Sequence, residues 1–238
     1  MFDFLTIDFD FFNDYPLEIR DNFPPVSEGH VGSVPDNSLW KHCNDGDFIH
    51  KTDEKFSVDM YDQLIEAIQR RYDAGLNFDH VFLSENHGYA FRALETCLLG
   101  RPNPYPFSVY NVDFHHDYSF CGNDLRCDNW ARLMNDKYPE APIYWCKRDD
   151  SVTTSFGEKV PVKVVGFQRI LKLIRMSRNL YIHICRSDLY SPPAFDWAFE
   201  ELCTLICRNS CKVHQYEPIE RERERMFDDS DRWFVPHD

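Results

Sequence analysis

Phe107-Ser108-Val109-Tyr110-Asn111-Val112-Asp113-Phe114-His115-His116-Asp117 is an apolar, β-branched and aromatic run that ends in a burst of ligand-type side chains. Residues 107–112 read as a strand entered after the proline-rich turn RPNPYP, and alternation carried past its end places Asp113, His115 and Asp117 on one side. Two carboxylates and an imidazole gathered there repel and desolvate one another unless a cation is present. A divalent metal removes that cost. In a parallel α/β sheet, ligands collect beyond the carboxyl ends of the strands, so this stretch predicts a parallel sheet with a metal site at its edge.

The neighbouring segments repeat the pattern. Residues 4–12 (FLTIDFDFF) form a β-rich run with Asp8 and Asp10 in i, i+2 register near its end, both able to face one point. Leu83-Ser84-Glu85-Asn86-His87-Gly88 closes the strand 80–84 (HVFLS), opens a helix over 89–99 and brings in His87. Three strand ends thus supply Asp8, Asp10, Asp113, Asp117, His87 and His115, an oxygen-rich set suited to two metal ions. With no cysteine in these motifs, Mn²⁺ is favoured over a structural Zn²⁺.

Farther out, Val58, Tyr61, Ile65, Ile68 and Tyr72 recur at helical spacing, with Ser57 as the expected N-cap and Gly75 as the stop. Helices are also expected over 129–135 and 195–208, and strands over 143–146, 160–165 and 180–185. The alternation predicts a single α/β domain over residues 1–238, with a doubly wound, mainly parallel sheet. Residues 14–55, rich in Pro, Asn, Asp and His, are long for a connection and read as an excursion over the site. The charge-rich residues 217–231 read as a solvated helix. Cys203, Cys207 and Cys211, at i, i+4 and i+8, read as small buried hydrophobes on one helix face.

Composition narrows the class of function. The 238 residues include 20 Phe and 12 Tyr within a 43% apolar share, enough for a substantial core, and only 9 Gly. The formal charge of −14 argues against a nucleic-acid backbone or an anionic membrane as partner, and suits a cationic ligand or metal. No apolar run approaches a membrane span, and the N-terminus lacks the basic region and cleavage site of a signal peptide. Nine cysteines without a CxxC pair fit reduced thiols. A soluble, cytoplasmic protein is expected.

DFHHD resembles the Asp-x-His-x-Asp metal motif of the arginase/deacetylase (ureohydrolase) superfamily, and SENHG resembles its Gly-Gly-Asp-His segment, with His87 in the metal-binding position. The superfamily's later Asp-x-Asp pair is missing downstream, where the corresponding strand reads IHICRSD, and stands instead at the N-terminus as Asp8 and Asp10. That arrangement resembles a circularly permuted ureohydrolase, and in particular the atypical peptide arginases of ribosomal-peptide biosynthesis. The resemblance implies a three-layer, arginase/deacetylase-like fold and two Mn²⁺ per chain. It also implies an arginine-containing precursor peptide as partner, its arginine converted to ornithine and urea. Asp113 would bridge the metals, His115 would bind one of them and His87 and Asp117 the other, while Asp8 and Asp10 replace the displaced pair. Catalytic roles would fall to Asp8, Asp113 and His115, with Asp8 or another carboxylate passing a proton to the leaving amine. Two metals sharing a water lower its pKa toward neutrality and generate the nucleophile. A guanidinium is matched by carboxylates, for which Glu85 and Asp188 are the candidates. His116 is expected to point away from the ligands. The family's shuttle histidine has no counterpart over 126–132, which leaves Asp128 or a histidine of the 14–50 stretch. Another binuclear-metal ureohydrolase or a deacetylase acting on a small cationic substrate, and a non-catalytic metal- or peptide-binding protein, are the other readings.

Overall fold

The computed structural model describes residues 1–14, 56–102, 106–120, 122–151, 160–187, 191, 195–208 and 210–216. The expected excursion beyond Asp14, the charged segment 217–231 and Asp188 lie outside them.

The described residues hold seven strands and five α-helices, in the order β1 (Phe2–Asp8), α1 (Val58–Asp73), β2 (His80–Ser84), α2 (Tyr89–Leu98), β3 (Phe107–Val112), α3 (Trp130–Lys137), β4 (Ile143–Cys146), β5 (Val162–Val165), α4 (Phe167–Met176), β6 (Leu180–Cys185), α5 (Asp196–Cys207) and β7 (Val213–Gln215). All strand pairs are parallel, in the order β5-β4-β3-β1-β6-β2-β7. The first strand of the chain is therefore central, flanked by β3 in the register Ile7↔Val112 and by β6 in the register Asp8↔Cys185. Because the strands are parallel, every strand that carries a candidate ligand ends on the same edge.

Alternation sorts the side chains to two faces. Leu5, Ile7, Ile182 and Ile184 pack with Leu64 and Ile68 of α1, Ile170 and Ile174 of α4 and Phe199 and Leu202 of α5. Phe4, Phe82, Val109 and Tyr181 pack with Ala93 and Leu94 of α2 and with Trp130 and Met134 of α3. Sheets buried on both faces read as continuous apolar runs, as FLTI and LYIHIC do, and each fully buried aromatic or branched side chain contributes about 1.5–3 kcal/mol. No helix among the described residues is long and apolar enough to cross a membrane.

Several expectations are revised. β1 stops at Asp8 rather than running to residue 12, because Phe9–Phe12 turn into a 3-10 helix for which Asp8 is the N-cap, its carboxylate accepting from the Asp10 amide. Such side-chain acceptance is what favours Asp at a helix start. Ser57 occupies the N-cap position of α1, yet its hydroxyl donates to Asp14 instead of capping, and Gly75, at φ +71°, supplies the left-handed residue just past the helix. The sequence reading missed α4, a ten-residue helix in which Arg169, Lys172 and Arg175 alternate with the buried Ile170, Leu171 and Ile174, and β7, which has only three residues. Cys211 lies beyond the end of α5 and is exposed, so the three cysteines do not share one helix face.

Candidate metal centre

The carboxyl ends of β1, β2 and β3 carry the ligand-type residues, and the turns that follow bring them together. Asp8, the last residue of β1, is buried, as are His87 in the loop between β2 and α2, and Asp113 just past β3. These three offer ligand atoms within 4.8 Å of one another, and Asp10, Asp113 and His115 form a second group under the same limit. Asp113 belongs to both groups. Asp117 joins the first, its Oδ2 lying 2.8 Å from His87 Nδ1, while Asp8 Oδ2 and Asp113 Oδ2 each lie 3.2 Å from the same nitrogen. In the second group His115 Nδ1 stands 3.7 Å from Asp10 Oδ2 and 3.9 Å from Asp113 Oδ1. All six residues singled out as ligands therefore converge.

The route to convergence differs from the expected alternation. β3 ends at Val112, so DFHHD is a turn in which the His115 amide donates to Asp113 Oδ1 at 2.9 Å, a side-chain turn of the kind Asp favours. Asp117 then adopts φ +53°, which points its carboxylate back at His87. Asp8 and Asp10 do not face one point: Asp8 serves the His87 group and Asp10 the His115 group, because the 3-10 turn swings Asp10 toward His115. His116 turns away, as expected, and its Nδ1 accepts from the Tyr118 amide.

Supporting side chains hold the carboxylates. Ser187 donates to Asp8 Oδ2 at 3.1 Å, and Trp130 Nε1 donates to Asp117 Oδ2 at 2.6 Å. Ser187 also has φ +53°, so the two non-glycine residues in the left-handed region among those described are a candidate ligand and the partner of another candidate, Asp8. Backbone strain of about 1–3 kcal/mol per residue persists where surroundings enforce it, and it clusters at functional sites.

The charges are arranged as for a cation. Burial raises the carboxyl pKa values of Asp8 and Asp117 against the lowering pull of His87, and Asp113 is pushed up to about 6 by burial and by the charge of Asp117. Burial alone would lower His87, but Asp8 and Asp117, with hydrogen bonds to Asp113 and Asp117, raise it well above its ordinary value. His87 Nδ1 is buried against three carboxylates, and a bare lone pair that close to them is tolerable only with a proton or a metal on it. The donor set fits divalent metal: four carboxylates and two imidazoles, all oxygen and nitrogen. Of the six, His115 alone has a largely exposed side chain, at 51%, so the site opens to solvent on its side.

The residues assigned to hold substrate have other surroundings. Glu85 is buried and forked onto Arg186, with Arg186 Nε at 2.7 Å from Oε2 and Nη2 at 2.5 Å from Oε1. Arg186 is itself buried, 3.4 Å from Asp196 Oδ1 and stacked over Phe199. Both oxygens of Glu85 are thus engaged by a guanidinium from the chain itself. Asp128 pairs with Arg126 at 3.0 Å.

The sequence reading passed over Thr6, Ser84, Asn111 and His183, which are fully buried. Thr6, Ser84 and Asn111 precede Asp8, Asn86 and Asp113 by two positions, and His183 precedes Cys185 in the same way. A polar residue inside an otherwise apolar strand, on the face shared with the strand-end residue, was the available signal. No protein-family model, curated protein or solved structure matches the chain.

Proposed function

We propose that this protein is a manganese-dependent hydrolase that converts arginine within a precursor peptide to ornithine, releasing urea. The observation that carries the reading is the pair of ligand groups sharing Asp113, which meets the DFHHD and IDFDFF motifs residue for residue. Asp8, His87, Asp113 and Asp117 would hold one metal, and Asp10, Asp113 and His115 the other. The four carboxylates carry a formal −4, which two divalent cations neutralise. When bound, such a metal pair supplies an activated water and a Lewis acid at neutral pH.

The chain's own residues do the rest. Trp130 and Ser187 fix the carboxylates of Asp117 and Asp8 against rotation, so the ligand geometry exists before substrate arrives. The open side at His115 is where a side chain would enter, and the acidic balance of the protein favours a guanidinium over an anion. In this reading Asp8, or another carboxylate of the cluster, would pass a proton to the leaving amine. Glu85, committed to Arg186, supports the loop that carries His87, and Asp188 is left as the substrate carboxylate of this reading. In the same reading the fold is an arginase-like, three-layer one with a permuted order: the strand of Asp8 comes first in the chain yet lies beside the strand that leads to Asp113.

The test is mass spectrometry of arginine-containing peptides incubated with the protein and Mn²⁺, paired with a urea assay. Each modified arginine should lose the elements CH2N2. A stoichiometric metal complex that leaves arginine peptides and free arginine untouched would point instead to a binding protein.

A further inference from the structure

One face of the sheet carries a polar row where a parallel sheet is ordinarily apolar. Thr6, His183 and Ser84 come from the adjacent strands β1, β6 and β2, with Thr6 directly opposite His183, and all are fully buried. Hydrogen bonds join them in a line. His87 Nε2 lies 2.8 Å from Thr6 Oγ1, which lies 2.9 Å from His183 Nδ1. His183 Nε2 lies 2.9 Å from Ser84 Oγ, and the Ser84 hydroxyl donates to the Asn86 carbonyl at 2.9 Å.

The direction of every proton follows from the far end of this line. A carbonyl only accepts, so the single hydroxyl proton of Ser84 is spent on Asn86, and the Ser84 oxygen accepts from His183 Nε2–H. A neutral His183 then has a bare Nδ1, which takes the proton of Thr6. Having no second proton, Thr6 accepts from His87 Nε2–H. His183 stays neutral because it is fully buried with both nitrogens on hydroxyl groups, where a charged ring would be desolvated without a counter-charge on either nitrogen.

We propose that Thr6, His183 and Ser84 form a positioning relay that keeps a ring proton of His87 on Nε2 and aims Nδ1 at Asp8, Asp113 and Asp117 as a metal ligand. The relay also closes on itself: Asn86, its terminal acceptor, immediately precedes His87, so the line of hydrogen bonds holds both the ring and the loop bearing it. A histidine ligand oriented through its distal nitrogen is more basic and pays less to be ordered on binding. The inference rests on the metal-site reading above, but the proton positions exist without metal.

Two measurements test it. Long-range proton–nitrogen correlation spectra of the metal-free protein, labelled at histidine nitrogen, should show His183 protonated on Nε2 alone. A His183 carrying its proton on Nδ1, or on both nitrogens, overturns the relay. The second measurement is Mn²⁺ affinity by titration in the wild type, in Thr6→Val, which keeps the shape and loses the hydroxyl, and in Thr6→Ser, which keeps the hydroxyl. Thr6→Val should weaken Mn²⁺ roughly 10–100-fold and Thr6→Ser should restore most of that loss, with unchanged circular dichroism. Undiminished Mn²⁺ affinity in a folded Thr6→Val protein overturns the relay and leaves the metal site standing. A wild-type chain that binds no Mn²⁺ overturns the metal reading instead, and the His183 spectrum still decides the relay.

Discussion

Replacing Asp113 by Asn should stabilise the metal-free protein at neutral pH while destroying its capacity for metal. Asp113 is fully buried, and burial, then the charge of Asp117, raises its carboxyl from 3.8 to about 6. A group whose folded pKa is raised contributes stability that is fully present below its unfolded value and is lost as pH rises through the folded one. Two pKa units at roughly 1.36 kcal/mol each give a loss of about 3 kcal/mol between about pH 4 and pH 7. Asp8 and Asp117 are raised too, and His87 is raised well above its ordinary value, so these groups slope the same way. The amide of Asn carries no charge to desolvate and removes the Asp113 share of this slope. For a chain of this size, about 3 kcal/mol corresponds to a difference of roughly 6–12 °C in Tm. The assay is thermal or urea unfolding of chelator-treated wild type and Asp113→Asn from about pH 4 to pH 7, read as the difference between the two so that carboxylates elsewhere cancel. The variant should gain on the wild type as pH rises, and saturating Mn²⁺ should rescue only the wild type. Parallel pH profiles for the two proteins would refute the argument, since Asp113 would then carry no uncompensated charge.

Asp10→Ala should lower metal content from two toward one per chain and nearly abolish urea release, whereas Asp113→Ala should lose both metals. Asp3→Ala, on the same strand as Asp8 but with its carboxylate accepting from Ser177 at the end of α4, should do neither; atomic absorption on purified protein settles the metal content of all three. Glu85→Gln should cost about 3–5 kcal/mol in urea unfolding because Arg186 is left buried and charged, and an apolar pair at both positions should recover most of it. A stable Glu85→Gln protein that had merely lost peptide affinity would return Glu85 to substrate binding. Trp130→Phe, which removes the N–H on Asp117, should weaken Mn²⁺ roughly 10–100-fold in a binding titration. Chelation should end activity, and Mn²⁺ should restore it better than Zn²⁺ in a urea assay, since the ligand set is carboxylate and imidazole without thiolate.

Much of this protein was legible in the chain itself. Apolar runs such as FLTI, FSVYNV and LYIHIC, spaced by helical patterns, were enough for an α/β fold with a parallel sheet, since burial on both faces of a strand leaves a continuous apolar signature. The six ligand-type residues were legible as well, because carboxylates at the ends of such strands are costly without a cation. What the chain could not specify is where each side chain points once the strand has ended. The Asp8 cap turns Asp10 aside, and the left-handed backbone at Asp117 aims its carboxylate at His87, both set by turns whose geometry depends on surrounding packing. The division into two ligand groups with Asp113 in common depends on β1 lying between β3 and β6, an adjacency of segments about a hundred or more residues apart. Glu85 shows the same dependence: its sequence position suits a substrate carboxylate, and the fold spends it on Arg186, which only β-strand pairing brings alongside. Thr6 and His183 stand 177 residues apart and carry no motif, and they meet because a parallel register sets them opposite one another on a buried face. Local chemistry is written in the chain, while the partners that give it direction are chosen by long-range strand order.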